Sequence, residues 1–384
     1  MEPKIRFKGF EGEWKAEELS HICSVNRGVR VTRNDLHNNG VYPVYQNTDY
    51  PMGYYTKFNV ESNNPFVIVG GSAGLIGFCH TNFWAADDCV FFGDNPIINK
   101  SFLYNNLIFH KTEIKRNVRG ASVPRLDRET LRKLPVSIPS LPEQQAIASY
   151  FTTLDSQISA STSRLASLKQ MKAASLQAMF PQEGGTVPKI RFMGFEGEWK
   201  KVKLSEILTE RHENSTITDS LPQLSFTIAD GVIRPEDRKS NKRDFLIKDI
   251  DNKRYLVTKV GDIIYNPANV VYGAIHRNSL MNGVVSPIYK IFTTMQDSNF
   301  IECAVRRPSF ITKLAMCTEG TVTKLKTLKP EAFLNMEVCI TPSLEEQKLI
   351  GNYFTSLDRQ ISLQSQRLEK LKQIKSACLD KMFV

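Results

Sequence analysis

Glu13-Trp14-Lys15 and Glu198-Trp199-Lys200 set a carboxylate and an ammonium two residues apart, the E-x-K spacing of metal-dependent nucleases. Neither has the upstream acidic strand residue such a centre needs, so packing by the two tryptophans is the expected role. Asn63-Asn64-Pro65-Phe66 approaches the N/D-P-P-F/Y loop that serves methyl transfer to amino groups. It lacks the second proline and an upstream glycine motif for a cofactor, and reads as a turn into a strand. The chain has no G-x-x-x-x-G-K-[ST] phosphate loop, and Gly70, Gly71, Gly74 and Gly77 miss the G-x-G-x-x-G spacing. A glycine-rich hairpin accounts for them. The histidines (21, 37, 80, 110, 212, 276) and the cysteines form no C-x-x-C or H-E-x-x-H group, so no metal site is expected. What remains suits anions. GASVPRLDRETL from Gly120 and GTVTKLKTLKPEAF from Gly320 each place a cation, Arg125 or Lys324, beyond small or hydroxyl residues. Backbone N–H groups and hydroxyls in such loops position phosphates, and cations add attraction. Further basic clusters are Lys115-Arg116 with Arg119, Arg238-Lys239 with Lys242-Arg243, and His276-Arg277.

The elements that must carry these loops come in two copies. PKIRFKGFEGEWK starts at Pro3 and PKIRFMGFEGEWK at Pro188, differing only at Lys8 against Met193. LPEQQAIASYFTTLDSQIS from Leu141 returns as LEEQKLIGNYFTSLDRQIS from Leu344, and the likeness continues to Phe180 and Phe383. The stretches between, 16–140 and 201–343, share little. A repeat is read before anything else, because it sets the architecture. Here it gives short motif, variable domain and long helix, twice. The shared parts do one job twice; the variable parts do related but different jobs.

Both helices open on S-x-x-E, Ser140 to Glu143 and Ser343 to Glu346, a capping box. Apolar residues then keep heptad spacing: Phe151, Ile158, Leu165, Met179 with Ile147, Leu154, Leu168, and Phe354, Ile361, Leu368, Met382 with Ile350, Leu357, Leu371. Such alternation marks a coiled coil, and polar residues at matching places (Ser161/Gln364, Lys172/Lys375, Ser175/Cys378) fix its register. The alternative is two amphipathic helices packed separately on their domains. Pro181 to Val187, with Gly184-Gly185, turns the chain back, so the pair is predicted antiparallel. A helix of roughly 37 residues is about 55 Å long. The variable domains are mixed and strand-rich: Tyr42–Tyr45, Phe66–Val69, Cys89–Phe92 and Val136–Ile138 in the first, Gly261–Tyr265 and Ser286–Ile291 in the second. The expected class is α+β, with two strand-rich domains joined by an antiparallel coiled coil and related by an internal pseudo-two-fold repeat. The boundaries are 1–140, 141–180, 181–187, 188–343 and 344–384.

Composition agrees with a soluble globular protein: 384 residues, 41% hydrophobic, 23% charged. Fifty Lys and Arg against 40 Asp and Glu leave a net charge of +10, which allows an acidic partner. The start has no apolar secretory stretch. The longest apolar run, Phe66 to Cys79, is shorter than the about 20 residues of a membrane span and reads as strand–turn–strand. Seven widely spaced cysteines suit reduced thiols in the cytoplasm.

The doubled KIRFxGFEGEW, the doubled P-S-L-x-E-Q entry to a heptad helix, and the dissimilar domains between them resemble the specificity subunit of a type I restriction–modification system, over essentially the whole chain. The resemblance implies that each variable domain reads one half of a bipartite, asymmetric DNA target. The helices would set the spacing and dock two methyltransferase subunits, and two restriction subunits would complete the complex. The chain itself would be non-catalytic and bind no cofactor; S-adenosylmethionine, ATP and Mg belong on the partners. Two other readings stay open, a stand-alone DNA-binding scaffold or repressor and a self-contained DNA methyltransferase. Under the first reading the expected DNA contacts are Gln46, Asn47, Ser72, Arg116, Arg119 and Arg125, then Asn266, Asn269, Tyr272, Arg277, Thr323 and Lys324. Gln and Asn suit adenine, Arg and Lys suit guanine.

Overall fold

The computed structural model describes residues 2–37, 39–238, 254–318 and 327–384. The first copy of the plan runs β1 (Lys15–Glu18), β2 (Val25–Arg27), β3 (Asn64–Ile68), β4 (Ile76–Cys79), β5 (Cys89–Phe92), α1 (Lys100–Phe109), β6 (Pro135–Ile138) and α2 (Leu141–Met179). The second runs β7 (Lys200–Lys203), β8 (Leu208–Glu210), β9 (Ile263–Tyr265), β10 (Ile275–Arg277), β11 (Lys290–Thr294), α3 (Ser298–Val305), β12 (Glu337–Ile340) and α4 (Leu344–Met382). Smaller strands surround these. Contacts gather the chain into two compact units. Unit 1 is Met1–Ser163 with Ser365–Val384, and unit 2 is Arg164–Gln364. Each unit therefore owns the beginning of one long helix and the end of the other.

In unit 1, β2, β5, β3 and β4 form an antiparallel sheet in that order. Phe66 faces Phe91 and Val67 faces Val90. Every residue of β3 is buried, because both faces of the sheet are covered. Val67, Val90 and Phe92 join the core under α1, with Phe102, Leu103 and Leu107. Phe66, Ile68 and Cys89, pointing the other way, pack with Tyr45 and Phe83. Asn99 caps α1 by accepting the Phe102 N–H at 2.9 Å. Strand β1 pairs antiparallel with β6, so the doubled motif leads straight to the helix entry.

Unit 2 repeats the arrangement with other side chains. Its sheet order is β8-β11-β9-β10, Ile263 faces Phe292, Asp297 caps α3 through the Phe300 N–H at 2.8 Å, and β7 pairs with β12. The α+β expectation holds. Two expected strands start late. Gly261 sits at φ +98° and the Asp262 N–H closes a turn on the Lys259 carbonyl at 3.0 Å, so β9 begins at Ile263. Ser286 to Tyr289 form a turn closed by the Tyr289 N–H on the Ser286 carbonyl at 3.2 Å, and β11 begins at Lys290. Pro287 has no N–H to give a ladder, which is why β-rich composition misleads there.

The long helices pair antiparallel within each unit. In unit 1 the Lys375 ammonium lies 2.5 Å from the Asp155 carboxylate, and Tyr150 Oη is 3.5 Å from Cys378 Sγ. In unit 2 Lys172 meets Asp358 at 2.5 Å, and Ser175 Oγ is 3.0 Å from Tyr353 Oη. The polar interruptions at Lys172/Lys375 and Ser175/Cys378 are thus each filled by a partner from the other helix. Ile147, Phe151, Leu154, Leu168, Ile350, Phe354, Leu357 and Leu368 are buried; Ile158, Leu165, Ile361 and Leu371 are half-buried. The seam also runs on into the domain cores, where Ile147 and Phe151 share one cluster with Trp14 and α1. Coiled-coil pairing and packing on the domains are one continuous surface here.

The phenylalanine after each helix is a plug. Phe383 is buried against Trp14 (ring centroids 6.3 Å), Phe102 (5.4 Å), Phe109 (5.9 Å) and Phe151 (5.9 Å). Phe180 sits in the same way against Trp199 (5.6 Å), Phe300 (5.3 Å) and Phe354 (6.3 Å). The repeated tryptophans thus serve packing. Among the described residues no helix is long and apolar enough to cross a membrane.

Candidate nucleic-acid interface

The repeated motif fixes the helix entries that the loops hang from. Arg6 donates to both oxygens of Glu143 at 2.7 and 2.8 Å, and to the carbonyls of Gly12 and Glu11. Arg191 does the same with Glu346 at 2.6 and 2.8 Å and with the Gly197 carbonyl. Gly12 and Gly197 have φ of +86° and +83°, a bend that suits glycine. The bidentate carboxylate holds each guanidinium above its ordinary pKa. This corrects the reciprocal capping box. Ser343 Oγ does accept the Glu346 N–H at 3.3 Å, but the glutamate side chain turns to arginine. A charge-assisted bidentate pair outbids a single N–H. The neighbouring glutamines tie the same helix starts to the cores. Gln144 accepts the Asn99 N–H and donates to the carbonyls of Ile97 and Pro139. Gln347 accepts the Asp297 N–H and donates to Gln296 Oε1 and to the Thr341 carbonyl.

On that frame, the turn between β3 and β4 gathers the first set of candidate contacts. The Gly71 N–H donates to the Pro124 carbonyl at 3.1 Å, the Ser72 N–H to the Asn47 carbonyl at 3.2 Å, and the Leu126 N–H to the Val69 carbonyl at 2.9 Å. Arg119 and Arg125 exchange two backbone hydrogen bonds at 2.8 and 2.7 Å, and the Arg119 guanidinium reaches the Arg116 carbonyl. Gln46, Asn47, Ser72, Arg116, Arg119 and Arg125 therefore belong to one loop cluster, all exposed except the half-buried Gln46. Gly71 sits at φ +77°, and a Cβ there would lie 2.9 Å from that of Asn47. Two acids enter the same cluster. Gln46 Nε2 donates to Asp87 at 3.4 Å, and the Arg125 guanidinium to Asp88 at 3.3 Å.

In unit 2 the equivalent turn, between β9 and β10, brings Asn266, Asn269 and Tyr272 together. The Asn266 side chain accepts the Ala268 N–H at 3.0 Å, the Asn269 N–H reaches the Asn266 carbonyl, and the Tyr272 N–H the Asn269 carbonyl. Tyr272 is exposed, and Gly273 at φ +85° closes the turn. The Leu328 N–H donates to the Pro267 carbonyl, much as Leu126 does to Val69 in unit 1. Arg277 lies elsewhere, opposite Ile263 at the far end of the hairpin. It is mostly buried near Glu302, which also takes the Arg277 N–H at 3.2 Å. Burial works against the Glu302 charge, yet the hydrogen bond from His276 and the charge of Arg306 hold its carboxyl below the usual range. Thr323 and Lys324, with Lys239, Lys242 and Arg243, lie outside the described residues. Sequence reading passed over Asp87 and Asp88, since nothing local tells an acid on a loop that it faces an arginine far along the chain. It also passed over the roles of Arg6 and Glu143, which repetition in both copies could have signalled.

Comparison with known proteins places this architecture. A family model described as the type I restriction modification DNA specificity domain matches residues 11–170 and again 196–373. The chain is 23% identical over 402 residues to the type I restriction enzyme MjaVIII specificity subunit of Methanocaldococcus jannaschii, covering 96% of this chain and 91% of that protein. It is 24% identical over 312 residues to the EcoBI specificity subunit of Escherichia coli, covering 72% and 64%. The crystal structure of a type I restriction–modification S subunit from M. genitalium superposes with a TM-score of 0.71 at 17% identity, over 100% of this chain and 99% of that one.

Proposed function

This chain belongs to the family of type I restriction–modification DNA specificity subunits, and on that premise we propose that its two loop clusters read the two halves of one bipartite, asymmetric DNA target. The supporting observation is one frame used twice with different loops, an arginine-bearing cluster in unit 1 and an asparagine- and tyrosine-bearing turn in unit 2. Asn and Gln can pair bidentately with adenine, and Arg with guanine. The matched long helices serve as the spacer between half-sites and as the dock for two methyltransferase subunits. Two restriction subunits join that core. The chain contributes recognition, not catalysis: S-adenosylmethionine, ATP and Mg are bound by the partners.

A net charge of +10 over such a chain gives modest phosphate attraction, and that attraction falls steeply with salt. Tight specific binding therefore needs the methyltransferase partners. The deciding experiment inserts whole turns into α2 and α4 together and maps modified sites in the assembled complex. Both half-sites keep their sequence and the gap between them changes. An unchanged gap removes the spacer role, and absence of any sequence preference in the unaltered complex removes the DNA-reading proposal.

A further inference from the structure

Carboxylates on a surface that meets a polyanion weaken its attraction, so Asp87 and Asp88 call for a reason. Asp88 is the better fixed of the two. Its carbonyl accepts the Val69 N–H at 2.8 Å, and its side chain is 19% exposed, against 63% for Arg125. Its carboxyl carbon lies 2.4 Å from where a Cβ on Gly70 would be, so that glycine supplies the space it occupies. The acid is the anchored partner and the arginine the reaching one. A guanidinium carries five N–H donors. One donated to Asp88 at 3.3 Å leaves enough for a bidentate contact with guanine O6 and N7. In unit 2 the matching sheet position, just before the residue that pairs with the end of the central strand, holds Tyr289 instead of an acid. Among the described residues, this pairing of an anchored acid with a reaching arginine is seen in unit 1.

The geometry points to Asp88 as a specificity-determining positioning residue: it aims Arg125 at one guanine of the half-site read by unit 1, in space that Gly70 leaves open. This rests on the DNA-reading role proposed above. The test uses the full chain assembled with its methyltransferase subunits and a pool of randomised duplex DNA, sequencing what is retained. Unaltered protein, R125A, D88N, the double variant and G70A are compared. R125A and D88N each cut the preference for guanine at one and the same base pair, by about 5- to 150-fold. The other half-site is untouched, the double variant is no worse than R125A, and G70A, which crowds the carboxyl, shifts the same base pair. A merely structural Asp88 would weaken the first half-site evenly at every position, and that result overturns the inference. So does a D88N profile that is unchanged, or altered at a base pair other than that of R125A. If the unaltered complex selects no sequence, the DNA-reading proposal falls and takes this inference with it. If it selects sequence and only the D88N and G70A results fail, the inference alone falls.

Discussion

Residues 1–187 should form a stable symmetric dimer, because helix α2 carries both sides of the helix pairing. In unit 1 its Asp155 and Tyr150 meet Lys375 and Cys378, and in unit 2 its Lys172 and Ser175 meet Asp358 and Tyr353. Two copies of α2 laid antiparallel would set Lys172 of each against Asp155 of the other, so the repeated lysine faces a carboxylate, not itself. Phe180 of each copy would enter the site that Phe383 fills, lined by Trp14, Phe102 and Phe151. Truncating a buried phenylalanine to alanine costs about 3–5 kcal/mol. By symmetry Phe180→Ala acts twice in this dimer, so about 6–10 kcal/mol is lost and the dissociation constant rises roughly 10⁴- to 10⁷-fold. Sedimentation equilibrium reads this directly: the fragment sediments as a dimer at micromolar concentration and the variant as a monomer. Assembled with methyltransferase subunits, the dimer directs modification to an interrupted palindrome built from its own half-site. A monomeric fragment, a Phe180→Ala variant that dimerises as tightly as its parent, or modification still at the asymmetric motif would refute the reasoning.

In the full chain Phe383→Ala lowers the stability of unit 1 by about 3–5 kcal/mol and leaves unit 2 unchanged; calorimetry should separate two transitions where one shifts, and a uniform shift tells against independent plugs. Gly71→Ala places a side chain at φ +77° against Asn47 and destabilises the unit 1 loop by about 1–3 kcal/mol, seen as faster amide exchange in residues 69–75; equal exchange rates would contradict it. Glu302 has a folded pKa below its ordinary 4.5, so its ionised form adds stability above that value that disappears as the pH falls through the folded pKa. Glu302→Gln should therefore cost unit 2 stability at neutral pH and progressively less as the pH falls through the folded pKa, and a loss that does not change with pH would assign the effect to packing.

The frame was legible because it is written twice and local patterns encode it. Heptads forecast the helices, and apolar runs bounded by turn residues forecast β3, β4 and β5. Ser286 to Tyr289 failed for a local reason, a proline inside an apolar run. The capping glutamates failed for a distant one: Arg6 lies far from Glu143 in the chain, and only the β1–β6 pairing brings their surroundings together. The first loop cluster was half legible. Polar and basic residues on turns could be named, but their convergence depends on the sheet order, as does the arrival of Asp88 beneath Arg125. Arg277 shows the converse, since a cation next to a histidine reads as surface and folds into a mostly buried pair with Glu302.

Unit 1 is begun before unit 2 and completed after it. Its core closes only when Phe383 reaches Trp14, after the whole of unit 2, residues 164–364, has been made. At about 5–20 residues per second, the roughly 200 intervening residues take about 10–40 s to synthesise. Through that interval the N-terminal half of α2 and the ring of Trp14, Phe102 and Phe151 form an open acceptor, while unit 2 has a continuous chain and can close on its own. A chain released before residue 383 would therefore carry a closed unit 2 and an open unit 1. Its acceptor fits the end of another α2, so unfinished chains on one message are drawn to each other. Splitting one core between residues 1–163 and 365–384 thus makes synthesis of the later segment a condition for having both units closed at once.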